Sequence, residues 1–572
     1  MSELAFSAPG YRLELSPDGL RATLTAADGT FLAALRPLAA LDTVAAPDET
    51  VEVLPPVVAD VPGGRSFTVA RRSTIWDEAR VVLTCTETAI EVRTSVAGTG
   101  ALADAHLLAG RSLLRTRGHG FLPSGSGFRT LFTPNPADPR LARPATEPTV
   151  VGVSGDGEPG RGHWLFTPSP LYLALSAEAD ADPYAPGSWL DVGVVAPVGE
   201  LTFVQLAYDV RDNGFALRLE YEGHPEVDGE FQAPVLLLTP NVPDPFKGLR
   251  RHRADLVARG AAPAPAPRER PAWWSDPIFC GWGAQCHLAE TGDVPHAPSL
   301  ATQANYDTFL AELERNGLRP GTVVLDDKWQ SAYGTNEPDP AKWPDLKGWI
   351  ADRHADGRHV LLWWKAWDCE GLPPEQCVRT ADGVPLTIDP SSPAARDALA
   401  AAVHRMLSPD GLDGDGLKID FTARTPTGRA LLHHGPRWGI ALLHELLAVV
   451  YAAAKEAKPD ALVMTHTPHP AFVDVTDMIR LNDMIGGADS VVPQMRLRAD
   501  VTRAACPELP IDTDDWRIPS LAAWREYLEV KPELGIPSLY YVSHVDATGE
   551  ALEPADYAAV ARTWERWKAV RG

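Results

Sequence analysis

The sequence predicts an N-terminal antiparallel β-sandwich followed by a C-terminal (β/α)8 barrel. Three observations support this prediction. Apolar and polar residues alternate in short runs up to about residue 240, an alanine-proline run follows at 261–267, and short apolar segments alternate with helical ones from residue 273 onward. The chain has 572 residues, of which 45% are hydrophobic and 22% charged, and is long enough for two large domains.

The N-terminal half has the periodicity of half-buried strands. Apolar residues recur at every second position in segments 11–15, 90–94 and 215–221. This period of two indicates strands with one face in a core. Turn-forming residues separate such segments, for example the Ser-Pro-Asp-Gly sequence at 16–19. We therefore predict a β-sandwich over residues 1–245.

A connector is predicted over residues 246–272. Segment 246–259 has a helical pattern rich in arginine, and the alternating prolines after it favour a stiff, extended chain. The barrel is then expected over residues 273–572.

The C-terminal half repeats a strand-helix unit eight times. Such repeats favour a parallel sheet covered on both faces, and eight units favour a closed barrel over the alternative, a doubly wound open sheet. The predicted strands are 278–282, 322–326, 359–364, 416–420, 461–465, 478–482, 509–512 and 538–542. The predicted helices are 302–316, 394–407, 437–456 and 519–529, with one further helix after the last strand.

Carboxylates follow several of these strands. In such barrels the chemistry lies at the carboxyl ends of the strands. Asp326 and Asp327 end the second strand, Asp420 ends the fourth, and Asp483 follows the sixth. Lys418 lies two residues before Asp420, so both side chains point the same way, and its charge would keep Asp420 ionised. Paired carboxyl groups of this kind are what glycoside hydrolysis needs.

Three segments resemble glycoside hydrolase family 36, which contains α-galactosidases and raffinose synthase-like proteins. Segment 324–330, VLDDKWQ, is similar to the family's D-D-G-W motif. Segment 415–420, DGLKID, is similar to its fourth-strand K-x-D motif, and segment 388–396, IDPSSPAAR, resembles the approach to the helix before that strand. The resemblance implies a retaining α-galactosidase-like enzyme in the clan that also holds family 27. It covers the barrel best, and the sandwich also fits the family layout.

The same resemblance assigns the site. It implies that Asp420 is the nucleophile and Asp483 the acid/base, while Lys418, Asp326 and Asp327 bind sugar hydroxyls. Three departures from the family pattern stand beside it. Lys328 replaces the glycine of the motif, strand five ends in His466 without the usual cysteine-and-glycine loop, and Arg480 replaces a tryptophan before the acid/base.

Other interpretations of these residues stay open at this stage. Asp420 could cap the next helix, and Asp326 or Asp327 could form an ion pair with Lys328. Asp474, Asp477 and Asp489 lie close to Asp483 in sequence. The alternative functions are an α-glucosidase of the family 31 type or another α-glycosidase, a transglycosylase of the raffinose-synthase type, and a non-catalytic sugar-binding protein.

Aromatic and basic residues complete the predicted sugar site. Nine of the 17 tryptophans fall between residues 273 and 367, although barrel interiors favour Val, Ile and Leu. We predict Trp282, Trp329 and Trp364 as stacking platforms for a sugar ring. His466 and Arg480, at strand ends five and six, are expected to contact the substrate. The histidine spacings match no zinc signature, so no metal or other cofactor is predicted.

Charge and composition restrict the partners. The formal net charge of −24 disfavours nucleic acids and anionic membranes, and a small oligosaccharide or glycoside remains the expected partner. No segment has the length of a membrane span or the pattern of a secretory signal. The six cysteines include no Cys-x-x-Cys pair and are typical of reduced thiols in a cytoplasmic protein, although an oxidising compartment would permit a Cys369–Cys377 bridge. Assembly into a homo-oligomer is left open.

Overall fold

The computed structural model describes residues 3–112, 120–125, 127–136, 140–155, 165–265 and 269–571. It consists of an antiparallel β-sandwich followed by an eight-stranded parallel barrel, so the predicted fold class is confirmed. Residues 266–268 of the predicted connector lie outside the described residues.

The sandwich is built from antiparallel strands that form two sheets around one apolar core. The 18-residue strand Ile90–Leu107 contributes to both sheets: its first half pairs with Glu78–Thr86 and its second half with Ala39–Thr43. At the crossing, Gly100 has φ +157°, and a Cβ atom there would lie 2.8 Å from Thr43 Cγ2. Glycine is therefore required where this strand changes sheet. The strands are Ala5–Ser7, Tyr11–Leu15, Ala22–Ala26, Phe31–Leu35, Ala39–Thr43, Thr50–Val53, Val57–Val61, Gly64–Ser73, Glu78–Thr86, Ile90–Leu107, Ala109–Arg111, Phe121–Gly125, Thr130–Phe132, Arg143–Pro144, Thr149–Val153, Tyr172–Ser176, Trp189–Val195, Gln205–Arg211, Gly214–Glu220, Glu226–Gln232 and Val235–Val242.

A helix links the two parts, within one residue of the predicted 246–259. It spans Pro245–Ala258, and the Asp244 side chain caps it by accepting a hydrogen bond from Lys247 N at 2.8 Å. Arg253 on this helix forms an ion pair with Glu508 of the barrel at 2.9 Å. The connecting helix is thus fixed to the domain that follows it.

Eight parallel strands form the barrel, which we number β1 to β8. They are Ile278–Cys280, Thr322–Leu325, His359–Lys365, Gly416–Asp420, Leu462–Thr465, Met478–Arg480, Ile511–Asp512 and Ser538–Leu539. Sequential strands are neighbours from β1 to β7, and β8 pairs with β1. The seam between β7 and β8 closes through the bridge between Asp512 and Ile536, whose backbone N–H donates to Ile511 O at 2.7 Å. The sheet is therefore a barrel and not the doubly wound alternative.

Eight helices, α1 to α8, surround the strands. They are Trp282–Thr291, Gln303–Arg315, Leu346–Ala355, Pro393–Leu407, Gly439–Ala457, Val491–Ala505, Leu521–Leu534 and Pro554–Arg571. The sequence predicts α2, α4, α5, α7 and the final helix, but α1, α3 and α6 were not predicted. Helix α1 has no side-chain cap, and α6 carries a proline and several arginines, so neither has a clear start or a clear apolar stripe. Between β5 and β6 the described chain has only the 3-10 turn Pro470–Phe472.

The barrel interior changes character along its axis. Its lower layers are apolar and include Ile278, Leu361 and Leu462, with Trp274 packed in the same cluster. At the carboxyl ends of the strands, buried charged residues such as Lys418 and Arg480 take their place. An ionised group buried in such an interior must be paired with an opposite charge. The candidate site is therefore the group of paired, charged residues that lies above the apolar layers.

The sandwich supports the loop after β4. The carboxylate of Glu222 accepts hydrogen bonds from Trp438 Nε1 at 3.0 Å and from Gly428 N at 2.9 Å. His224 stacks on the Trp438 ring with centroids 3.6 Å apart. These contacts fix the middle and the far end of the segment that follows the predicted nucleophile.

A second sandwich segment contacts the ends of β4, β5 and β6. Thr167 forms a hydrogen bond with the Thr422 hydroxyl, and its backbone N–H donates to His466 O at 3.1 Å. Asn482 Nδ2 donates to Leu165 O at 2.6 Å. The sandwich therefore forms part of the structure that positions the rim of the barrel.

Two further expectations can be compared with the described residues. All six cysteines are free, including Cys369 and Cys377, as expected for reduced thiols. No helix in the described part of the chain has the length and apolar character that a membrane span requires.

Candidate functional site

The two predicted catalytic carboxylates share one arginine. Asp420 is the last residue of β4, and Asp483 lies three residues beyond Arg480, which ends β6. One nitrogen of the Arg480 guanidinium lies 2.9 Å from Asp420 Oδ1, and the other lies 3.3 Å from Asp483 Oδ1. The fold thus brings the pair together at the rim, as the sequence predicts.

A third carboxylate, which the sequence analysis missed, also bonds this guanidinium. Asp514 follows β7, and its Oδ2 accepts from Arg480 Nη1 at 2.7 Å. Burial lowers the pKa of Arg480, but the charges of Asp420 and Asp514 raise it well above its ordinary value. The signal in the sequence was the group of aspartates at 512, 514 and 515, at the end of the predicted strand 509–512 and just beyond it.

Exposure separates the members of this cluster. The side chains of Arg480 and Asp514 are 1% and 0% exposed, whereas those of Asp420 and Asp483 are 24% and 23% exposed. The cation and its third partner therefore lie inside the protein, while the two predicted catalytic carboxyl groups remain open to a ligand.

Asp420 is held as a carboxylate. Its Oδ2 accepts from Trp363 Nε1 at 3.2 Å, and its Oδ1 accepts from Phe421 N at 2.9 Å. Burial raises the pKa of Asp420, but the charge of Arg480, with smaller effects of His466 and Lys418, outweighs it and holds the pKa well below its usual range. Asp420 does not cap the next helix, whose N-cap residue is Trp438.

Asp326 and Lys418 form a buried ion pair. Lys418 Nζ lies 2.6 Å from Asp326 Oδ2, and both side chains are less than 5% exposed. Cys280 Sγ also donates to Asp326 Oδ2, at 3.0 Å. Burial lowers the pKa of Lys418, but Asp326 more than compensates and raises it above its ordinary value. The pair links the end of β2 to β4, two residues before Asp420.

Asp327 lies beside Asp326 but has a different partner. Its Oδ1 accepts from the Tyr333 hydroxyl at 2.6 Å. Burial raises the pKa of Asp327 to about 6, and the nearby charge of Asp326 adds to the shift. The sequence also allowed an ion pair between Lys328 and one of these aspartates. In the structure, Lys328 instead pairs with Glu370 at 2.5 Å.

The tryptophans divide between the site and the core. Trp363 bonds Asp420, and because side chains alternate along a strand, Trp364 points to the opposite face of β3. Trp329 is fully buried and donates from Nε1 to Trp363 O at 2.8 Å, so neither of its ring faces is free for a sugar. Trp282 is half-buried at the end of β1, with its ring 5.8 Å from that of Trp516.

The remaining predicted site residue is His466. Its Nε2 lies 2.6 Å from Thr422 Oγ1, and the residue is buried at the end of β5. Because Thr422 lies two residues after Asp420, this contact places His466 next to the segment that carries the predicted nucleophile.

The competing aspartates have other partners. Asp474 pairs with His444 at 3.1 Å and Asp477 with Lys455 at 2.7 Å, while Asp489 is exposed. Asp483 is therefore the member of this group that reaches Arg480. Within the described residues, no three side chains of the types that bind metals come together in a metal-binding group.

Several solved structures share this fold. TtGalA, an α-galactosidase from Thermus thermophilus in complex with p-nitrophenyl α-D-galactopyranoside, is 15% identical with a TM-score of 0.53, over 90% of this chain and 95% of that one. A family 31 sulfoquinovosidase from E. rectale in complex with an aza-sugar inhibitor is 10% identical with a TM-score of 0.57, over 99% and 82%. A cycloalternan-degrading enzyme from Trueperella pyogenes in complex with isomaltose is 12% identical with a TM-score of 0.50, over 99% and 80%.

These likenesses establish the architecture. The chain has the two-part fold of these glycosidases, and because they include both an α-galactosidase and a family 31 protein, the fold does not single out family 36. No family model matches the chain, and no curated protein matches it in sequence.

The buried ion pair at the base of the site gives a test that is independent of function. We expect Lys418→Met to lower the free energy of unfolding by about 3–5 kcal/mol, because it leaves Asp326 buried without its partner. The double substitution Lys418→Met with Asp326→Asn should recover part of this loss. Urea unfolding monitored by tryptophan fluorescence measures both.

Lys328→Met is the matched control for that experiment. Lys328 pairs with Glu370 at the surface, so its loss should change stability by less than about 1 kcal/mol. Equal losses for Lys418→Met and Lys328→Met would contradict the buried pair.

Proposed function

We propose that the protein is a retaining α-glycoside hydrolase of the α-galactosidase type, acting on small α-linked glycosides. The observation that carries the proposal is that Asp420 and Asp483 lie in front of the same buried guanidinium with their carboxyl groups open to a ligand. The resemblance of the K-x-D and D-D segments to family 36 and the shared fold add support.

The proposed reaction has two displacements. In the first, an Asp420 oxygen attacks the anomeric carbon while Asp483 gives its proton to the leaving oxygen, so the glycosidic bond breaks and a glycosyl ester forms. In the second, Asp483 takes a proton from water as the water oxygen attacks the same carbon, and Asp420 leaves as a carboxylate. The two steps regenerate the starting protonation state.

The sugar would lie between β1 and β6. Asp327 has a raised pKa and low exposure, and it lies close to the Asp326–Lys418 pair. The carboxylates of these residues are suited to accept hydrogen bonds from sugar hydroxyls, and the Lys418 ammonium is suited to donate to them. Trp282 remains the proposed stacking platform, and Trp363 joins it because it contacts the nucleophile. Trp329 and Trp364 have no part in this proposal.

Arg480 and Asp514 would act through the two catalytic carboxylates. Arg480 orients Asp420 and keeps it ionised, but the same cation works against an acid that must hold a proton. Asp514, bonded to Arg480 at 2.7 Å, offsets much of that charge. Asp514 is thus proposed as a positioning residue that lets one cation serve a nucleophile and an acid together.

The first test of the function is a panel of nitrophenyl α- and β-glycosides. We expect cleavage of an α-glycoside, with α-galactoside the first candidate, and a loss on the order of 10⁴-fold in kcat for Asp420→Ala. Azide should rescue Asp420→Ala and give a β-glycosyl azide, which thin-layer chromatography and NMR identify.

Asp489→Ala, an exposed aspartate of the same region, is the control and should keep wild-type activity. Activity that survives Asp420→Ala without azide would remove this residue from the mechanism.

The role of Asp514 predicts a shift in pH dependence. In Asp514→Asn the Arg480 charge is less balanced, so the acid should lose its proton at lower pH. We expect the alkaline limb of kcat/KM to move down by about one pH unit. The loss at neutral pH should be larger for an alkyl glycoside than for a glycosyl fluoride, which needs no acid. An unchanged limb, or equal losses for both substrates, would show that Asp514 has only a structural role.

Asp327 predicts a second pH effect, on binding. Because its pKa is raised to about 6, it gains a proton as pH falls through this value and then accepts fewer hydrogen bonds from hydroxyls. We expect KM to rise severalfold between pH 7 and pH 5. In Asp327→Asn, KM should be higher at neutral pH but flat over this range. A wild-type KM that is constant from pH 7 to pH 5 would exclude Asp327 from direct hydroxyl binding.

A further inference from the structure

A cleft of about 460 Å³ opens beside the nucleophile, between the ends of β3 and β4. The residues Lys365, Ala366, Trp367 and Asp368 form one wall, and Phe421, Arg424 and Pro426 form the other. Its volume lies in the range of small-molecule sites.

The cleft is joined directly to the proposed catalytic centre. Phe421 follows Asp420 and donates its backbone N–H to that carboxylate at 2.9 Å, and its ring lies edge-on to Trp363 with centroids 6.1 Å apart. Lys365 is paired with Asp420 in the sheet register. A sugar held between Asp420 and Asp483 would therefore have the cleft as its neighbour, and an aglycone that extends from the glycosidic oxygen along the rim would reach it.

Two aromatic residues of this cleft have backbone conformations that large side chains rarely adopt. Trp367 has φ +72° and Phe421 has φ +58°. Such conformations are strained for large residues, and strain of this kind is concentrated at functional sites. Trp367 Nε1 donates to Thr422 O at 3.0 Å, which ties the two walls together.

The charge of the cleft differs from that of the whole chain. The Lys365 ammonium and the Arg424 guanidinium lie 5.5 and 5.6 Å from the centre of the Phe421 ring. Lys365 has a partner in Asp368 at 2.9 Å, but no carboxylate of the described residues pairs with Arg424, whose backbone is fixed by a bridge to Gly155. In a protein of net charge −24, the cleft thus holds beside an aromatic ring one guanidinium, that of Arg424, which no described carboxylate balances.

We propose that this cleft is a leaving-group subsite for an acidic aglycone, a cyclic group that packs on Phe421 and presents a carboxylate, sulfonate or phosphate to Arg424 and Lys365. The inference rests on the proposed glycosidase function and adds the class of its substrate. The net charge of −24 would slow the approach of an anionic substrate. Any preference for an acidic over a neutral aglycone must therefore come from the residues of the subsite.

The test compares two aglycones of nearly equal size. The glycosyl group is first identified with the nitrophenyl panel, and its 4-carboxyphenyl and 4-carbamoylphenyl glycosides are then assayed at low salt. The amide is intrinsically the better leaving group, so a preference for the acid must come from the protein. We expect kcat/KM to favour the carboxylate about tenfold, the size of one charge-assisted hydrogen bond, and 0.5 M NaCl to reduce that preference. A 4-sulfophenyl glycoside distinguishes carboxylate from sulfonate as the preferred acid.

Variants assign the preference to the cleft. Arg424→Met should abolish most of the acid-to-amide ratio, and Lys365→Met should reduce it, whereas Arg429→Met, an exposed arginine of the same loop that does not line the cleft, should leave it unchanged. Equal kcat/KM for the acid and the amide in wild type, or a ratio that survives in both cleft variants, overturns the subsite. Failure to cleave any glycoside overturns the proposed function instead, so the two results are distinguishable.

Discussion

The buried guanidinium of Arg480 constrains the rest of the site. A charge with 1% of its surface exposed, inside a barrel whose lower layers are apolar, is tolerated only when carboxylates surround it. Those carboxylates come from the end of β4, the loop after β6 and the loop after β7. The relative positions of three chain segments are thereby fixed by one cation. Because Asp514 satisfies this cation from within, Asp420 and Asp483 can keep their outer surfaces open.

The charged residues next to Arg480 are also paired with groups of opposite charge. Lys418 and Asp326 neutralise each other near Asp420, and Lys328 and Glu370 do so at the surface. The Tyr333 hydroxyl donates to the Asp327 carboxylate at 2.6 Å, and burial outweighs this bond and raises the pKa of Asp327 to about 6. The surroundings of Asp327 and Asp420 therefore shift the pKa values of these two carboxyl groups in opposite directions, and such a separation is what division of labour at a catalytic site requires.

The sandwich contributes to this arrangement through its contacts with the rim. Glu222 and His224 hold the segment after β4, while Leu165 and Thr167 contact the ends of β5 and β6. Loops at the carboxyl ends of barrel strands are otherwise the most variable part of this fold. The contacts between the two parts explain why an extended loop after β4, from Phe421 to Trp438, can present a defined cleft next to Asp420.

The sequence by itself determined the fold class, the order of the strands and the main carboxylates. Period-two alternation and apolar strands between helices are local patterns, so they indicated the sandwich, the barrel and Asp420, Lys418 and Asp483 directly. Helices α1 and α6 were missed because neither has a clear start or a clear apolar stripe. Helix α3 is capped by Asp345, but its ten residues give only a short pattern. The sequence could not show whether Trp363 or Trp364 faces the site, because adjacent residues on a strand point to opposite sides and only the structure shows which side of β3 lies towards Asp420.

Only the tertiary structure decided which charges meet. Asp514 lies 34 residues from Arg480 in sequence, and Lys418 lies 92 residues from Asp326, so no local pattern could pair them. The burial of Trp329, the choice of Glu370 as the partner of Lys328, and the approach of Arg424 to Phe421 at the cleft likewise depend on the packing of separate loops. These interactions are formed between strand ends that closure of the barrel brings together, and for that reason they follow from three-dimensional contacts and not from spacing along the chain.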